Sequence, residues 1–256
     1  MDVELGIAGQ RFIIVFFRVT SILWLLPLFS LRSISIPYKV GLSLIVSFLF
    51  YELVDINPGR LGDPYFTLLL VVKEVFIGLT IGFFVRTLFA VIYVAGEMAA
   101  LQTGFAFARF MDPFTMSQSS VLEQIKNLLA ILIFFAIDAH HILIKGMFYS
   151  FKEVPVGGLV LNTSLLQYII ELSGRMFSLG LKIGAPLIVT LFIVEIALGI
   201  LSRMIPQINI FVEGMPAKIL VTLIVLSFSL GIIAPNIANI FKSIDREMLK
   251  IMRLMV

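Results

Sequence analysis

The chain has 256 residues, of which 60% are hydrophobic and only 14% charged, and its mean hydropathy is +1.08. Soluble globular domains are about 45–50% apolar and about 25% charged, so these values exclude a soluble domain and indicate an integral membrane protein. The net charge of +3 is small and spread along the chain, so no nucleic-acid partner is predicted, and the lack of cysteine excludes thiolate metal sites.

Apolar blocks separated by Gly, Pro and Asn predict an all-α, polytopic chain made of helical hairpins. In chain order, we expect helices over residues 7–31, 38–54, 65–104, 121–149, 165–203 and 219–241. Gly78, Gly82, Gly96 and Gly104 are possible breaks in the third helix, and Gly184 and Pro186 are expected to weaken the fifth, because Gly and Pro are poor residues inside a helix.

The last apolar block and the tail behind it suggest an orientation. Residues 219–241 carry no charge and can cross a hydrocarbon core of about 30 Å. The tail, residues 242–256, is basic and amphipathic: Ile244, Met248, Ile251, Met252 and Met255 share one helical face, and Lys242, Arg246, Lys250 and Arg253 line the other. The positive-inside bias therefore favours a cytoplasmic tail, although Arg203 and Lys218 precede the same block. A short hairpin that never fully crosses the membrane would reconcile the two.

Charged residues interrupt the other apolar blocks. They are Arg18, Lys73, Glu74, Arg86, Glu97, Lys182 and Glu195. A charge at the centre of a membrane helix costs about 2.5–3.5 kcal/mol on insertion scales, so these side chains should face protein, water or one another. Two interpretations stay open: pairing within this chain, or burial between subunits that supply the opposite charges.

Asp138, His140 and His141 form a carboxylate–histidine cluster. Adjacent side chains on a helix diverge by about 100°, whereas zinc ligands usually follow i, i+4 spacing, so no metal and no cofactor are predicted. The sequence has neither a G-x-S-x-G elbow nor a P-loop with its lysine, so it is not expected to be an enzyme. An intramembrane hydrolase that uses Asp138 and His140 is one alternative; alanine at either position would then abolish function.

Two stretches resemble a known family. Residues 203–218 read RMIPQINIFVEGMPAK, and residues 96–113 read GEMAALQTGFAFARFMDP. Both are similar to the signature stretches of the flagellar biosynthetic protein FliR family, whose injectisome counterpart is SctT. Phe17-Arg18-Val19 near the start also fits the family, and the similarity covers about residues 10–241. Asp138-Ala139 stands where the family more often has Asn-Gly.

The resemblance implies a subunit of the type III export gate. Such a subunit would be a multi-pass protein of the bacterial inner membrane, in the flagellar basal body. It would pack in a helical assembly with five FliP and four FliQ chains, work with FlhB and FlhA, contact membrane lipid, and pass unfolded export substrates. The resemblance further implies a FliP-like part over residues 1–164 and a FliQ-like hairpin over residues 165–241.

The family also has a loop that plugs the pore. The matching stretch here lies between residues 107 and 120, and its candidate plug residues are Phe107, Phe110, Met111, Asp112, Pro113, Phe114 and Met116. Bulky, flexible Phe and Met side chains suit closure around an unstructured chain, and Pro113 prevents a helix. The alternative is a plain connection between two helices.

A second family loop lies near the cytoplasmic entrance and resembles the corresponding loop of FliQ. Its candidate contact residues for FliQ and FlhB are Arg203, Pro206, Gln207, Asn209, Phe211, Gly214, Pro216 and Lys218. Pro206 and Pro216 are expected to fix the ends of the turn. The alternative is that these residues only shape a tight hairpin.

A secondary transporter or channel for a small solute is the competing function. Transporters of this kind show broken helices at matching positions of two internal repeats. Gly78, Gly82 and Gly184-Ala185-Pro186 could be such breaks, but the two halves of the sequence do not repeat convincingly.

Overall fold

The computed structural model describes residues 2–30, 34–52, 54, 64–103, 121–205, 207 and 210–256, and all regular structure within them is helical. The helices are α1 (Asp2–Leu25), α2 (Pro27–Ser30), α3 (Ile36–Tyr51), α4 (Pro64–Thr103), α5 (Val121–Ala136), α6 (Ala139–Glu153), α7 (Thr163–Met204), α8 (Ile210–Lys242) and α9 (Ile244–Leu254). By length and composition four are able to cross a membrane, or five if the broken pair α5–α6 counts as one span. The chain is an all-α polytopic membrane protein.

The breaks considered at Gly78, Gly82 and Gly96 do not occur, Gly104 lies outside the described residues, and the helix expected to be weakened at Gly184 and Pro186 is continuous. Helix α4 runs unbroken for 40 residues past Gly78, Gly82 and Gly96, and α7 for 42 residues past Gly184 and Pro186. A proline removes one backbone hydrogen bond, and neighbouring groups in a membrane helix can make up for the loss. Pro186 therefore leaves α7 continuous.

The break occurs instead where the sequence predicted one helix, over residues 121–149. Helix α5 ends at Ala136 and α6 begins at Ala139, because Asp138 adopts a left-handed backbone with φ of 56°. Asp and Asn are the side-chain-bearing residues that tolerate this conformation best, and Gly has no penalty there. The aspartate at this position is therefore compatible with the break.

The chain forms two compact units. The first comprises Met1–Thr87, Asp138–Ser173 and Lys242–Val256, and the second Leu88–Ile137 and Gly174–Phe241. Helices α4 and α7 contribute to both. The FliP-like and FliQ-like boundaries after residues 164 and 241 come from the family resemblance and stay predictions.

In the first unit, α1 and α4 approach closely at two glycines of α4. A Cβ on Gly78 would lie 2.6 Å from the Arg18 carbonyl oxygen, and one on Gly82 would lie 2.8 Å from Leu25 Cβ. Such distances are closer than non-bonded atoms tolerate, so only glycine lets the two backbones pack this way. Small residues have this role in many membrane helix pairs.

The amphipathic tail forms α9, and its predicted apolar face is buried. The tail is also fastened by polar contacts: Val160 N–H donates to the Met255 carbonyl at 2.7 Å, and the Asn162 amide donates to the Leu254 carbonyl at 2.9 Å. Helix α9 is therefore an integral part of the first unit.

The second unit has an apolar core. The rings of Phe89, Phe134 and Phe241 pack around one point with centroids 4.8–5.5 Å apart. Gly180 of α7 lies against Val91 of α4, where an added Cβ would come within 2.9 Å of the Val91 carbonyl oxygen. Helices α4 and α7 thus also meet through a small residue.

We predict that Gly78→Ala destabilises the first unit, because its Cβ would collide with backbone atoms of α1 that cannot move independently. The matched control is Gly41→Ala in α3, where nothing lies within 4 Å of an added Cβ and where alanine favours the helix by about 0.5–1 kcal/mol. Thermal denaturation in detergent should show a lower midpoint for Gly78→Ala and an unchanged or higher one for Gly41→Ala. Equal midpoints would contradict the close approach.

Candidate functional site

The most strongly built polar site of the first unit is a buried ion pair between α1 and α4. The Arg18 guanidinium Nε donates to Glu74 Oε2, and both side chains are fully buried. Arg18 shares the buried face of α1 with Ile14 and Ile22, and Glu74 shares that of α4 with Ile77. Helical periodicity therefore carries both charges inward along with the apolar core.

Arg18 also closes the end of α6. Its Nη1 donates to the carbonyl oxygens of Ser150, at 2.8 Å, and Val154, at 3.0 Å. The guanidinium carbon lies 4.2 Å from the centre of the Phe151 ring, which gives a cation–π contact. The last carbonyls of a helix carry partial negative charge, so a cation at this position is favoured electrostatically.

Glu74 and its neighbour Lys73 hold the turn that follows α6. Glu74 Oε1 accepts a hydrogen bond from Gly157 N–H, and Lys73 Nζ donates to the Gly157 carbonyl, each at 3.0 Å. Gly157 has φ of +74°, a conformation that side chains disfavour. Two consecutive residues of α4 thus bind both backbone groups of one glycine.

The charge cluster composed of Arg18, Lys73, Glu74 and their acceptors is suited to holding helices, not to chemistry. Arg18 and Glu74 neutralise each other, and backbone groups take up further hydrogen bonds of both. Buried ion pairs contribute little net stability, but removing one partner leaves an unpaired buried charge that costs about 3–5 kcal/mol. The cluster therefore fixes where α1, α4 and α6 meet.

The other charges named from the sequence are less enclosed in the single chain. Arg86 and Lys182 are exposed, and Glu97 is half-buried. Glu195 pairs with Lys218, with 3.2 Å between Oε1 and Nζ. Of the two open interpretations, pairing within the chain therefore applies to Arg18, Glu74 and Glu195.

The break before α6 brings Asp138, His140 and His141 together. The two imidazole rings lie with centroids 4.1 Å apart, and His141 Nδ1 is 3.6 Å from Asp138 Oδ1. One ligand atom from each residue lies within 4.8 Å of those of the other two. Both histidines lie on the first turn of α6, so helical geometry still separates their Cα–Cβ directions, but the two rings turn back towards each other.

The two predicted loops lie largely outside the described residues. All candidate plug residues, from Phe107 to Met116, fall there, as do Pro206 and Asn209 of the contact loop. Arg203 and Gln207 are exposed, while Gly214 is buried and lies within α8. Pro216 also lies inside α8, which begins at Ile210, so the expectation that it ends the turn is wrong.

Sequence reasoning missed the partners of Arg18 and Glu74. These are Ser150, Phe151, Val154 and Gly157, four residues with no ionisable side chain, of which three contribute backbone groups. Backbone acceptors leave little trace in composition. The one available signal was the Pro155-Val156-Gly157-Gly158 run, which is typical of a turn that needs a positive φ.

Apolar helices of membrane length together with fully buried charges define the chain as a polytopic membrane protein built for internal polar contacts. The chain matches the family described as Bacterial export proteins, family 1, over residues 10–244, and it belongs to that family, which includes FliR. It is 31% identical to the flagellar biosynthetic protein FliR of Bacillus subtilis over 81% of each chain. It is 33% identical to the FliR protein of Escherichia coli, over 89% of this chain and 87% of that protein. It is 30% identical to the FliR protein of Aquifex aeolicus, over 83% of this chain and 84% of that protein.

We predict that Arg18→Met or Glu74→Met alone destabilises the protein by about 3–5 kcal/mol, because the remaining charge stays buried without its partner. The double variant, which removes both charges, should recover most of that loss. Thermal denaturation of the detergent-purified chain measures the effect.

The control for this prediction is Arg253→Gln, which breaks the exposed contact with Glu153 at 3.5 Å. Pairs of this kind contribute about 0–1 kcal/mol, so the midpoint should barely move. If the double variant were no more stable than the worse single variant, the pair would not be the source of the effect.

Proposed function

We propose that this chain is a subunit of the flagellar type III export gate and forms part of the channel through which unfolded proteins cross the inner membrane. Membership of the bacterial export family over residues 10–244 carries the proposal, because the relatives are named flagellar biosynthetic proteins. The coarser function, a multi-pass inner-membrane component of the flagellar export apparatus, follows from the same match and from the apolar helices. The role is one of transport, without an enzymatic step.

The lengths of the helices support a place in an assembly. At 1.5 Å per residue, α4 and α7 are about 60 Å long, twice the thickness of a hydrocarbon core. Apolar side chains such as Phe177, Phe192 and Ile193 are exposed on α7 in the single chain. Lipid alone cannot cover an apolar helix over twice the bilayer core, so neighbouring protein chains are the natural cover for the rest.

Exposed charges on these same helices support the same conclusion. Arg86 of α4 and Lys182 of α7 are exposed among apolar neighbours. Charges in membrane helices face protein or water, because lipid contact is costly. We propose that FliP and FliQ chains, in five and four copies, pack on these surfaces, with FlhB and FlhA associated and unfolded substrates passing through the pore.

Two loops have proposed roles in this assembly. The plug loop would close the pore when no substrate is present and would close around a substrate in transit. Its residues are Phe107, Phe110, Met111, Asp112, Pro113, Phe114 and Met116. Residues 203–218 would contact FliQ and FlhB near the cytoplasmic entrance. The exposed Arg203 and Gln207 are consistent with an accessible polar loop, whereas Lys218 lies within α8 and pairs with Glu195.

The experiment that tests the proposal is native mass spectrometry of the detergent-purified chain coexpressed with the neighbouring FliP and FliQ genes. We expect one copy of this chain in a complex with five FliP and four FliQ chains. The control is the same expression without this chain, which shows which masses depend on it. A monomer or homodimer that ignores both partners would overturn the proposal and favour a small-solute transporter.

The same complex tests the contact loop. A photo-crosslinking residue in place of Asn209 should label FliQ, or FlhB when that protein is added, whereas one at the exposed Tyr38 of α3 controls for random labelling. If crosslinked products from position 209 contain neither FliQ nor FlhB, the loop only shapes the hairpin.

We predict that replacing Phe110, Met111 and Phe114 together with Gly makes the closed gate leak small ions, because the bulky apolar side chains that fill the pore are removed. Membrane conductance of cells expressing the complex should rise several-fold. Replacing the same three residues with Leu keeps apolar bulk and should leave conductance low. Unchanged conductance in a glycine variant that still assembles would contradict the plug.

A further inference from the structure

The two histidines of this chain have no role in the proposed export function. The sequence has two histidines and no cysteine, and the two histidines are adjacent. Because the chain offers no other imidazole and no thiolate, an ion that binds through imidazole nitrogen can be held only here. That place also contains a carboxylate, Asp138.

The local fold gathers these three side chains. Asp138 takes a left-handed backbone, and α6 begins at the next residue, so its carboxylate turns back over the first turn of the helix. His141 Nδ1 then lies 3.6 Å from Asp138 Oδ1, and the rings of His140 and His141 lie 4.1 Å apart. The candidate ligand atoms of all three residues lie within 4.8 Å of one another.

We propose that Asp138, His140 and His141 bind a divalent transition-metal ion of the zinc type. Two imidazole nitrogens and one carboxylate oxygen match the ligand preference of zinc. Hard cations such as Mg²⁺ prefer oxygen ligands alone. Three protein ligands leave at least one coordination position for water or for a donor from a neighbouring chain.

The spacing fits with modest side-chain rotation. Bonds of about 2.0–2.2 Å to zinc require ligand atoms about 3.3 Å apart in tetrahedral geometry, which is closer than 4.8 Å. The side chains of Asp138 and His141 are 72% and 64% exposed, so both can turn towards a common point without displacing packed neighbours. Bound metal would hold Asp138 in its left-handed conformation and so fasten the start of α6.

The test uses the full-length chain in detergent, with any affinity tag removed, titrated with Zn²⁺ against a chromophoric chelator. We expect one Zn²⁺ per chain, and at least tenfold weaker binding in His140→Gln, His141→Gln and Asp138→Asn. Asparagine tolerates the left-handed backbone, so Asp138→Asn removes the charge without disturbing the fold. Circular dichroism and thermal denaturation of each variant check that the fold persists.

A spectroscopic probe and a matched control complete the design. Co²⁺ in place of Zn²⁺ should give visible d–d absorption that both histidine variants lose. The control is Asp245→Asn, an exposed acidic residue in the first turn of α9, which should bind Zn²⁺ as tightly as the unaltered chain. The absence of saturable binding, or binding that survives His141→Gln, would overturn the proposal.

Discussion

The first unit is organised around the buried pair of Arg18 and Glu74. Burying two charges is costly, so the pair constrains every element that supplies it with hydrogen bonds. Arg18 must reach Glu74 on α4 and the last carbonyls of α6 at once, while Glu74 must also accept from Gly157. A shift of α1 by one residue would carry the guanidinium away from all of these groups. The pair therefore specifies the register of the helices more than it adds to stability.

The close packing of α1 and α4 serves the same constraint. Gly78 lies against the backbone carbonyl of Arg18 itself, and Gly82 lies one turn further along against Ile22 and Leu25. With Cβ atoms at both positions the helices would separate, and an arginine that also reaches the carbonyls of Ser150 and Val154 could not stay bonded to Glu74. The glycines that sequence reasoning treated as breaks thus permit the approach that the ion pair needs. Glycine in a membrane helix has two opposite meanings, and composition alone does not distinguish them.

The helical class, the membrane location and the apolar face of α9 were predictable, because hydropathy and periodicity over long segments report burial directly. The charges in apolar blocks were predicted to avoid lipid, but which of them pair was not, since Arg18 and Glu74 are far apart in sequence and their other partners are backbone groups. The break at Asp138 was missed because a single aspartate, without an adjacent glycine or proline, is a weak turn signal within an apolar run. The approach of the Asp138 carboxylate to the histidines depends on that break, so it could not be read from spacing.

Two indications of orientation oppose each other at the two ends of α8. It runs for 33 residues, about 50 Å, so if it crosses the membrane the loop before it and the tail after it face opposite sides. The positive-inside bias assumes that basic residues are free to interact with the membrane and cytoplasm. In the tail, however, Lys250 lies over the Tyr168 ring at 4.2 Å, Arg253 contacts Glu153, and the apolar face of α9 is buried. These side chains have local structural partners, which weakens the tail as a signal of topology.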